Sequence, residues 1–330
     1  MDSTLTLRVD GIHHELTVDT RTSQLDALRR ELGVYAAPNR RTDADAAHTP
    51  APDDLSAERD LVAASVFPTF RMPTSTATVR YDGGRYIARI GAADLGTGAW
   101  TVLPQITADA LDVPVGDVDV LIGDTDHPEA SVAGGSSGTN TWGSTLVAAA
   151  QQFRQKFGPD PQDGDEAEAV VPPAEAADRF AMSAFGAQFA EVRVHAGTGE
   201  VRVPRLHATF AAGRIINPRL ARSQFLGGMT MGLGMALLEE SVLDPRFGHV
   251  VNHDLAEYHI MCAADVADLQ AHWVDEDDPH VNAMGAKGIG EIGIVGTAAA
   301  VANAVWHATG VRVRDLPIRL DRLLPRGRGS

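Results

Sequence analysis

Three stretches of this 330-residue chain combine glycine with small hydroxyl residues in a way that suits anion binding. They are Leu95-Gly96-Thr97-Gly98, Ala133-Gly134-Gly135-Ser136-Ser137-Gly138-Thr139 and Met284-Gly285-Ala286-Lys287-Gly288-Ile289-Gly290-Glu291. Each leads into a run with helical apolar spacing, so each can offer unpaired backbone N–H groups and the positive end of a helix dipole to a ligand. Glycine adds access to positive φ and close backbone approach. One such loop is usually a turn, whereas three in one chain point to a shared site for an anionic cofactor.

Glu291 stands between the third loop and a helix expected over residues 292–309, which Gly310 terminates. Burial would raise the pKa of its carboxyl, while a helix N-terminus and nearby Lys287 would favour the ionised form, and a general base needs such opposed influences. The same position would equally suit a capping carboxylate with no catalytic role. Gln224, polar on a mostly apolar helix, fits either a ligand contact or a core glutamine satisfied by backbone. Gly227, Gly228, Gly232 and Gly234 on that helix each cost about 1 kcal/mol relative to alanine, which tight packing on a sheet would offset.

His253, Glu257 and His259 lack the two-histidine helical spacing that binds zinc, and Asp124 and Asp126 read as solvated loop acids. Gly288-x-Gly290-x-x-Gly293 matches a dinucleotide fingerprint. Residues 275–283 before it are polar and broken by Pro279 where a buried strand is required, and Glu291 would stand where a pyrophosphate must approach. Dinucleotide binding is therefore the less favoured alternative.

The elements that must hold these loops follow from apolar spacing. Alternation over residues 4–9 and 15–18 about Asp10-Gly11 predicts a β-hairpin, and residues 23–32 an amphipathic helix capped by Gly33. Residues from 35 to about 60 carry no apolar period and predict a linker. Strands are expected over 77–81 and 85–90, a helix over 101–111, a strand over 118–122 and a helix over 144–157. Residues 158–178, with Pro159, Pro161, Pro172 and Pro173 among acidic residues, predict a surface loop. Strands over 187–195 and 200–210 meet at Gly197-Thr198-Gly199, and Asn217-Pro218 opens a helix reaching about Glu240. Residues 270–313 predict a strand, a loop, a helix and a final strand over 311–313. The fold class is mixed α/β, divided into residues 1–34, a linker over 35–65 and a large domain over 66–330.

Composition narrows the function. Forty-four acidic against 28 basic residues give a net charge of −16, which opposes binding to a phosphate backbone, so nucleic acid is not an expected partner. Cys262 is the only cysteine, which leaves no internal disulfide, no cysteine-held iron–sulfur cluster and no cysteine-type zinc site. The opening residues lack a leader pattern and no apolar run reaches the roughly 18 residues of a membrane span. The expectation is a cytoplasmic protein, periplasmic only if exported with a partner.

The loops also carry a family resemblance. Asp94-Leu95-Gly96-Thr97-Gly98 resembles the Met-Gly-Gln-Gly pterin loop of the xanthine dehydrogenase and aldehyde oxidase family of molybdenum hydroxylases. Ala133-Gly134-Gly135-Ser136-Ser137 resembles that family's Ser/Gly loop beside the cofactor, and Ser223-Gln224 with Gly227-Gly228 its Gln-x-x-Gly-Gly helix. Lys287-Gly288-Ile289-Gly290-Glu291 is similar to its Lys-Gly-x-Gly-Glu motif, whose Glu is the base. The likeness spans about residues 66–325, takes in the stretch 211–218, and is nearest to bacterial aldehyde oxidoreductases.

The resemblance implies the second half of a molybdopterin-binding domain. It implies a molybdenum–molybdopterin cofactor, with a cytosine dinucleotide form as one option, and no side chain of the chain as a metal ligand. Gly96, Thr97, Gly98, Gly134, Gly135, Ser136, Ser137, Gln224, Lys287 and Gly288 would bind this cofactor, Lys287 being an electrostatic neighbour of Glu291. The reaction implied is hydroxylation of an aldehyde or N-heteroaromatic carbon of a small-molecule substrate, with Glu291 as general base. Electrons would leave through iron–sulfur and FAD subunits.

Residues 1–34 resemble the opening of the family's iron–sulfur subunit, a ferredoxin-like fragment, without the cysteines that would hold a cluster. An earlier half of the family's molybdopterin subunit, with a Gly-Gly-Gly-Phe-type loop and an Arg/Phe-Gly motif, does not appear in this sequence. The expectation is a fusion of truncated modules that works with a partner supplying that first half and that exposes apolar faces. The alternatives are an inactive remnant and an acidic interaction module.

Overall fold

The computed structural model describes residues 2–9, 12–19, 55–56 and 61–324. At the N-terminus, β1 (Asp2–Val9) and β2 (Ile12–Asp19) pair antiparallel with Val9 opposite Ile12, the hairpin that alternation predicts. The expected helix over 23–32 and most of the linker lie outside the described residues.

Beyond the linker the chain builds two sheet-and-helix units. In the first, β5 (Thr76–Asp82) and β6 (Arg85–Arg89) form a hairpin whose two turn residues, Gly83 and Gly84, both have positive φ. That conformation matches the twist of the paired strands and is open to glycine at little cost. Helix α1 (Ala99–Leu111) crosses over to β7 (Val118–Leu121), which joins β6 in parallel, and helix α2 (Gly138–Phe157) leads to β8 (Glu166–Val170). The sheet order is β7-β6-β5-β8, and Leu103, Leu111, Leu146 and Phe153 fill the space between sheet and helices.

In the second unit, β3 (Leu55–Ser56) and β4 (Leu61–Pro68) pair with β9 (Ser183–Val194), which pairs antiparallel with β10 (Val201–Ala211), which pairs in parallel with β13 (Asp268–Trp273). Helices α3 (Pro218–Leu237) and α4 (Thr297–Thr309) cover this sheet, with Phe210 and Phe225 stacked at 4.5 Å in the core between them. A two-residue hairpin, β11 (Leu243–Asp244) and β12 (His249–Val250), follows α3. The units share material: Met284 and Ala286, beyond β13 in the chain, are buried in the first unit's core.

Several elements depart from their predicted bounds. The chain enters the sheet at Leu55 with β3, and β4 starts at Leu61, five residues before the boundary placed at 66, because the small residues of β4 (Ala63, Ala64, Ser65) give a weak apolar signal. The loop predicted over 158–178 contains edge strand β8, where Ala167 turns inward and Glu166 and Glu168 turn out. Glu166-Ala167-Glu168-Ala169 does alternate with a period of two, but alanine and glutamate are both poor strand formers and the flanking prolines read as loop. Helix α2 starts six residues early, at Gly138 rather than Ser144. Its first turns bury Asn140, Thr141, Ser144 and Thr145, with Ser144 and Thr145 donating back to the carbonyls of Asn140 and Thr141 at 2.6 and 2.8 Å. Residues 311–313 form no strand, and the helix expected from Ile292 begins only at Thr297, after a run of turns.

Candidate active site

A cavity of about 530 Å³ opens where the two units meet. Its walls are the second glycine loop and the first turn of α2, the N-terminal half of α3, the segment from Ala212 to Asn217, and the third glycine loop up to Ile294. Residues 97, 134–137, 224, 287, 288 and 291, spread over nearly 200 positions of sequence, therefore share one space. Gly96 and Gly98 stand outside the lining, behind Thr97.

The first loop works differently from its sequence reading. The Asp94 carboxylate accepts the backbone N–H groups of Gly96 at 2.8 Å, Trp100 at 3.1 Å and Gly98 at 3.2 Å. Burial acts against its ionisation, but these donors together outweigh it and hold the carboxyl below its usual range. The N–H groups expected to face an anion are thus turned onto the chain's own aspartate, and Asp94 does the capping of α1. Gly98 has φ 83°, and a side chain there would collide with Leu220 of α3. Leu95 and Thr97 are the loop residues that reach the cavity.

The second and third loops interlock. Ser136 has φ 53°, a left-handed conformation uncommon outside glycine, and its Oγ accepts the Glu291 N–H at 3.0 Å. A Cβ on Gly288 would strike the Ser136 backbone, and one on Gly290 would come within 3.0 Å of Ser136 Oγ. These glycines are needed for loop-on-loop contact, which places Glu291 beside the second loop. Of the three expected helix N-termini, that of α2 alone reaches the cavity, through Gly138 and Thr139.

Glu291 is half-buried, and its Oε2 is sealed from solvent without a hydrogen-bond partner. Burial pushes its carboxyl above the ordinary value, opposed only by its own backbone N–H. Neither of the charge-stabilising influences expected from the sequence operates. Helix α4 starts six residues later, and the carboxylate instead opens a turn in which Ile294 N–H donates to the Glu291 carbonyl at 3.1 Å. Lys287 is buried, but its ammonium faces Glu276 at 2.6 Å and Asp278 at 3.3 Å. The capping reading of Glu291 fails on the same geometry, since no helix begins there.

Lys287 therefore fastens the loop. Glu276, its partner, also accepts the Gly213 N–H at 2.8 Å, and the Lys287 N–H donates to the Ala212 carbonyl at 3.0 Å. Arg214, which the sequence reading left aside, lines the cavity and pairs with Asp109 at 2.7 Å. Arg214, Lys287 and Glu291 are the ionisable residues among those lining the cavity, and the two cations are already paired.

On α3 the glycines divide by role. A Cβ at Gly228 would press on the Gly293 backbone at 3.0 Å and one at Gly232 would collide with Thr297, so these two allow α3 to pack against the chain after Glu291. Gly227 would meet nothing within 4 Å and opens directly on the cavity beside Gln224. The Asn217-Pro218 start is as predicted: Asn217 Oδ1 accepts the Leu220 N–H at 3.0 Å, and its Nδ2 donates to Gln105 of α1 at 3.1 Å. His253, Glu257 and His259 line no part of this cavity, and among the described residues no group of three potential ligands could hold a metal ion.

Residues 61–267 match the molybdopterin cofactor-binding domain family. The chain belongs to that family. Its relatives include molybdenum-binding subunits of aldehyde oxidoreductase and xanthine dehydrogenase. The chain is 41% identical over 280 residues to the aldehyde oxidoreductase molybdenum-binding subunit PaoC of Escherichia coli O157:H7, covering 76% of this chain and 37% of that protein. It is 39% identical over 140 residues to the xanthine dehydrogenase molybdenum-binding subunit of the same organism, covering 42% and 18%. The fold is that of the aldehyde oxidoreductase from Desulfovibrio desulfuricans, with a TM-score of 0.72 at 21% identity over 91% of this chain and 34% of that one. The chain thus spans little more than a third of the length of the relatives it matches.

The cavity fits the cofactor that defines the family. It offers a wall of small residues at Gly134, Gly135 and Gly227, hydroxyl and amide groups from Thr97 and Gln224, the N-terminal turns of α2 and α3, and a carboxylate oxygen with no partner of its own. Those are the features an extended polar heterocycle with an anionic tail requires.

Proposed function

We propose that this chain forms the base-bearing half of the active site of a molybdenum hydroxylase acting on an aldehyde, with an N-heteroaromatic carbon as the second substrate class. A molybdenum–molybdopterin cofactor would supply the two-electron redox chemistry. Thr97, Gly134, Gly135, Ser137, Gln224 and Gly288 would hold it, the cytosine dinucleotide form being one option. Glu291 would accept the proton released as oxygen is delivered to the substrate carbon. Ser136 and Lys287 would fix the loop that carries Glu291. Iron–sulfur and FAD subunits would receive the electrons, and a first-half molybdopterin segment would complete the enclosure. The 1–34 segment is read as a ferredoxin-like piece, and the assembly as cytoplasmic.

The observation that carries this reading is the sealed, unpartnered Oε2 of Glu291 at the wall of the cavity between the two units. A carboxylate kept from water, with no charge-stabilising neighbour, holds a raised proton affinity, which is what a base working near neutral pH needs. The aldehyde is favoured because PaoC is the more extensive of the two relatives compared.

Glu291→Gln in the assembled enzyme tests it. The amide keeps shape and cannot take a proton, so molybdenum content should stay stoichiometric by elemental analysis while aldehyde turnover falls by at least about 10³-fold. Turnover within tenfold of the unsubstituted enzyme would remove Glu291 from the reaction. Assembled protein that carries no molybdenum would favour the inactive interaction module.

A further inference from the structure

Gln188 has no part in the chemistry proposed above, yet it is a fully buried amide in the middle of β9 with every polar group used. Its Nε2 donates to Ser65 Oγ of β4 at 2.9 Å and to the Gly293 carbonyl at 2.8 Å, and its Oε1 accepts from Thr297 Oγ1 at 2.6 Å. Thr297 Oγ1 also lies 3.0 Å from the Gly293 carbonyl. One side chain thus ties the central strand of the sheet to both ends of the turn that separates Glu291 from α4.

Within that turn Ile292 is buried in the core. Gly293 and Gly296 carry no side chains, and Val295 is exposed. The turn is pressed between two surfaces. A Cβ at Gly293 would lie 2.7 Å from the Phe225 carbonyl of α3, and one at Gly296 would collide with Ser65 on the sheet side. The Gly293 carbonyl points into the sheet, where Gln188 Nε2 and Thr297 Oγ1 are its two donors. Its position two residues from Glu291 links it to the base, and the Ile294 N–H to Glu291 carbonyl bond couples the backbone between them. At the other end Ser136 holds the Glu291 N–H.

We infer that Gln188 is a positioning residue: through the Gly293 carbonyl and Thr297 it sets the turn that aims the Glu291 carboxylate into the cavity. This rests on Glu291 being the base. A merely structural role for Gln188 would alter stability alone, whereas a positioning role must alter the surroundings of the Glu291 carboxyl.

The experiment is a pH titration of the Glu291 carboxyl by isotope-edited infrared difference spectroscopy on the full chain, with Glu291→Gln as the blank. In the unsubstituted protein the Glu291 signal should titrate above the ordinary carboxyl range. If it titrates in the ordinary range, the base reading itself fails, whatever Gln188 does. Given a raised value, Gln188→Met, which keeps volume and removes both donors, should bring the titration back down toward the ordinary carboxyl range as the carboxyl reaches water. An unchanged Glu291 titration in folded Gln188→Met overturns the inference. Thr297→Val removes one strut of the same lock and Thr297→Ser keeps it. If Gln188→Met does not fold, a downward shift in Thr297→Val that Thr297→Ser restores supports the inference, and equal titrations in the two overturn it.

Discussion

Glu291 shows how a single side chain acquires its chemistry from what is kept away from it. Its nearest expected cation, Lys287, is consumed by Glu276 and Asp278, and the helix dipole it was expected to cap starts beyond its reach. Burial is left as the dominant influence, so the neutral carboxyl is favoured in the folded protein. The folded-state pKa therefore lies above the ordinary value of 4.5, and the stabilisation is complete below that value and is lost as pH rises through the folded pKa. Glu291→Gln has no such loss. Its melting temperature relative to the unsubstituted chain should thus rise with pH from about 4.5 upward, and thermal melts across pH 4 to 8 read this directly. A constant difference across that window would mean the carboxyl is not desolvated in solution. Asp94 is the opposite case, a carboxylate whose three backbone donors make it an anchor rather than an acid or base.

Helix α3 carries the same argument to the scale of the element. Its glycines at 227, 228 and 232 look alike in sequence, and each lowers helix propensity. In the fold they are not equivalent, because only Gly228 and Gly232 touch the chain that follows Glu291. Gly232→Ala should destabilise by about 1–3 kcal/mol through overpacking against Thr297, while Gly227→Ala should leave stability unchanged or raise it by up to about 1 kcal/mol. Urea unfolding of the two variants separates them, and equal effects would contradict the packing described here. Gly227→Ala should also lower cofactor content in the assembled enzyme, since its methyl group would project into the cavity. The helix α2 start was missed for a related reason. Gly138, Thr139, Asn140 and Thr141 look like loop residues, and only the partners that receive their polar groups, such as the Phe70 carbonyl for Asn140, make helix the better state.

For the whole molecule, the decisive feature is that the two units are not separable at the cavity. The segment 275–287 leaves β13 of the second unit, buries Met284 and Ala286 in the first, and returns through Lys287 to the Ala212 carbonyl of the second. Asn282 crosses the seam as well, donating to Asn140 of α2 at 2.7 Å. The Lys287 ion pairs lie on this crossing, with the lysine side chain 4% exposed. Lys287→Met would leave Glu276 and Asp278 facing each other without a counter-charge, and should cost about 3–5 kcal/mol. The loss should register in calorimetry as a lower midpoint of a single transition that includes both units. Two separate transitions, with only one of them shifted, would show that the seam does not couple them.

Much of this was legible in the sequence because it depends on local rules. The hairpin turn at Gly83-Gly84, the Asn217-Pro218 helix start and the resemblance of three glycine loops to cofactor loops all rest on residues within a few positions of one another. Residues from all three loops border one cavity, although the first loop turns its amides onto Asp94. What local rules could not decide was where each polar group would find its partner. Lys287 turning away from Glu291 and Gln188 reaching the turn before α4 are contacts between residues 11 and 109 positions apart. They are settled by which surfaces the packed units bring together, because a buried hydrogen bond or charge takes its value from its three-dimensional surroundings rather than from its place in the chain.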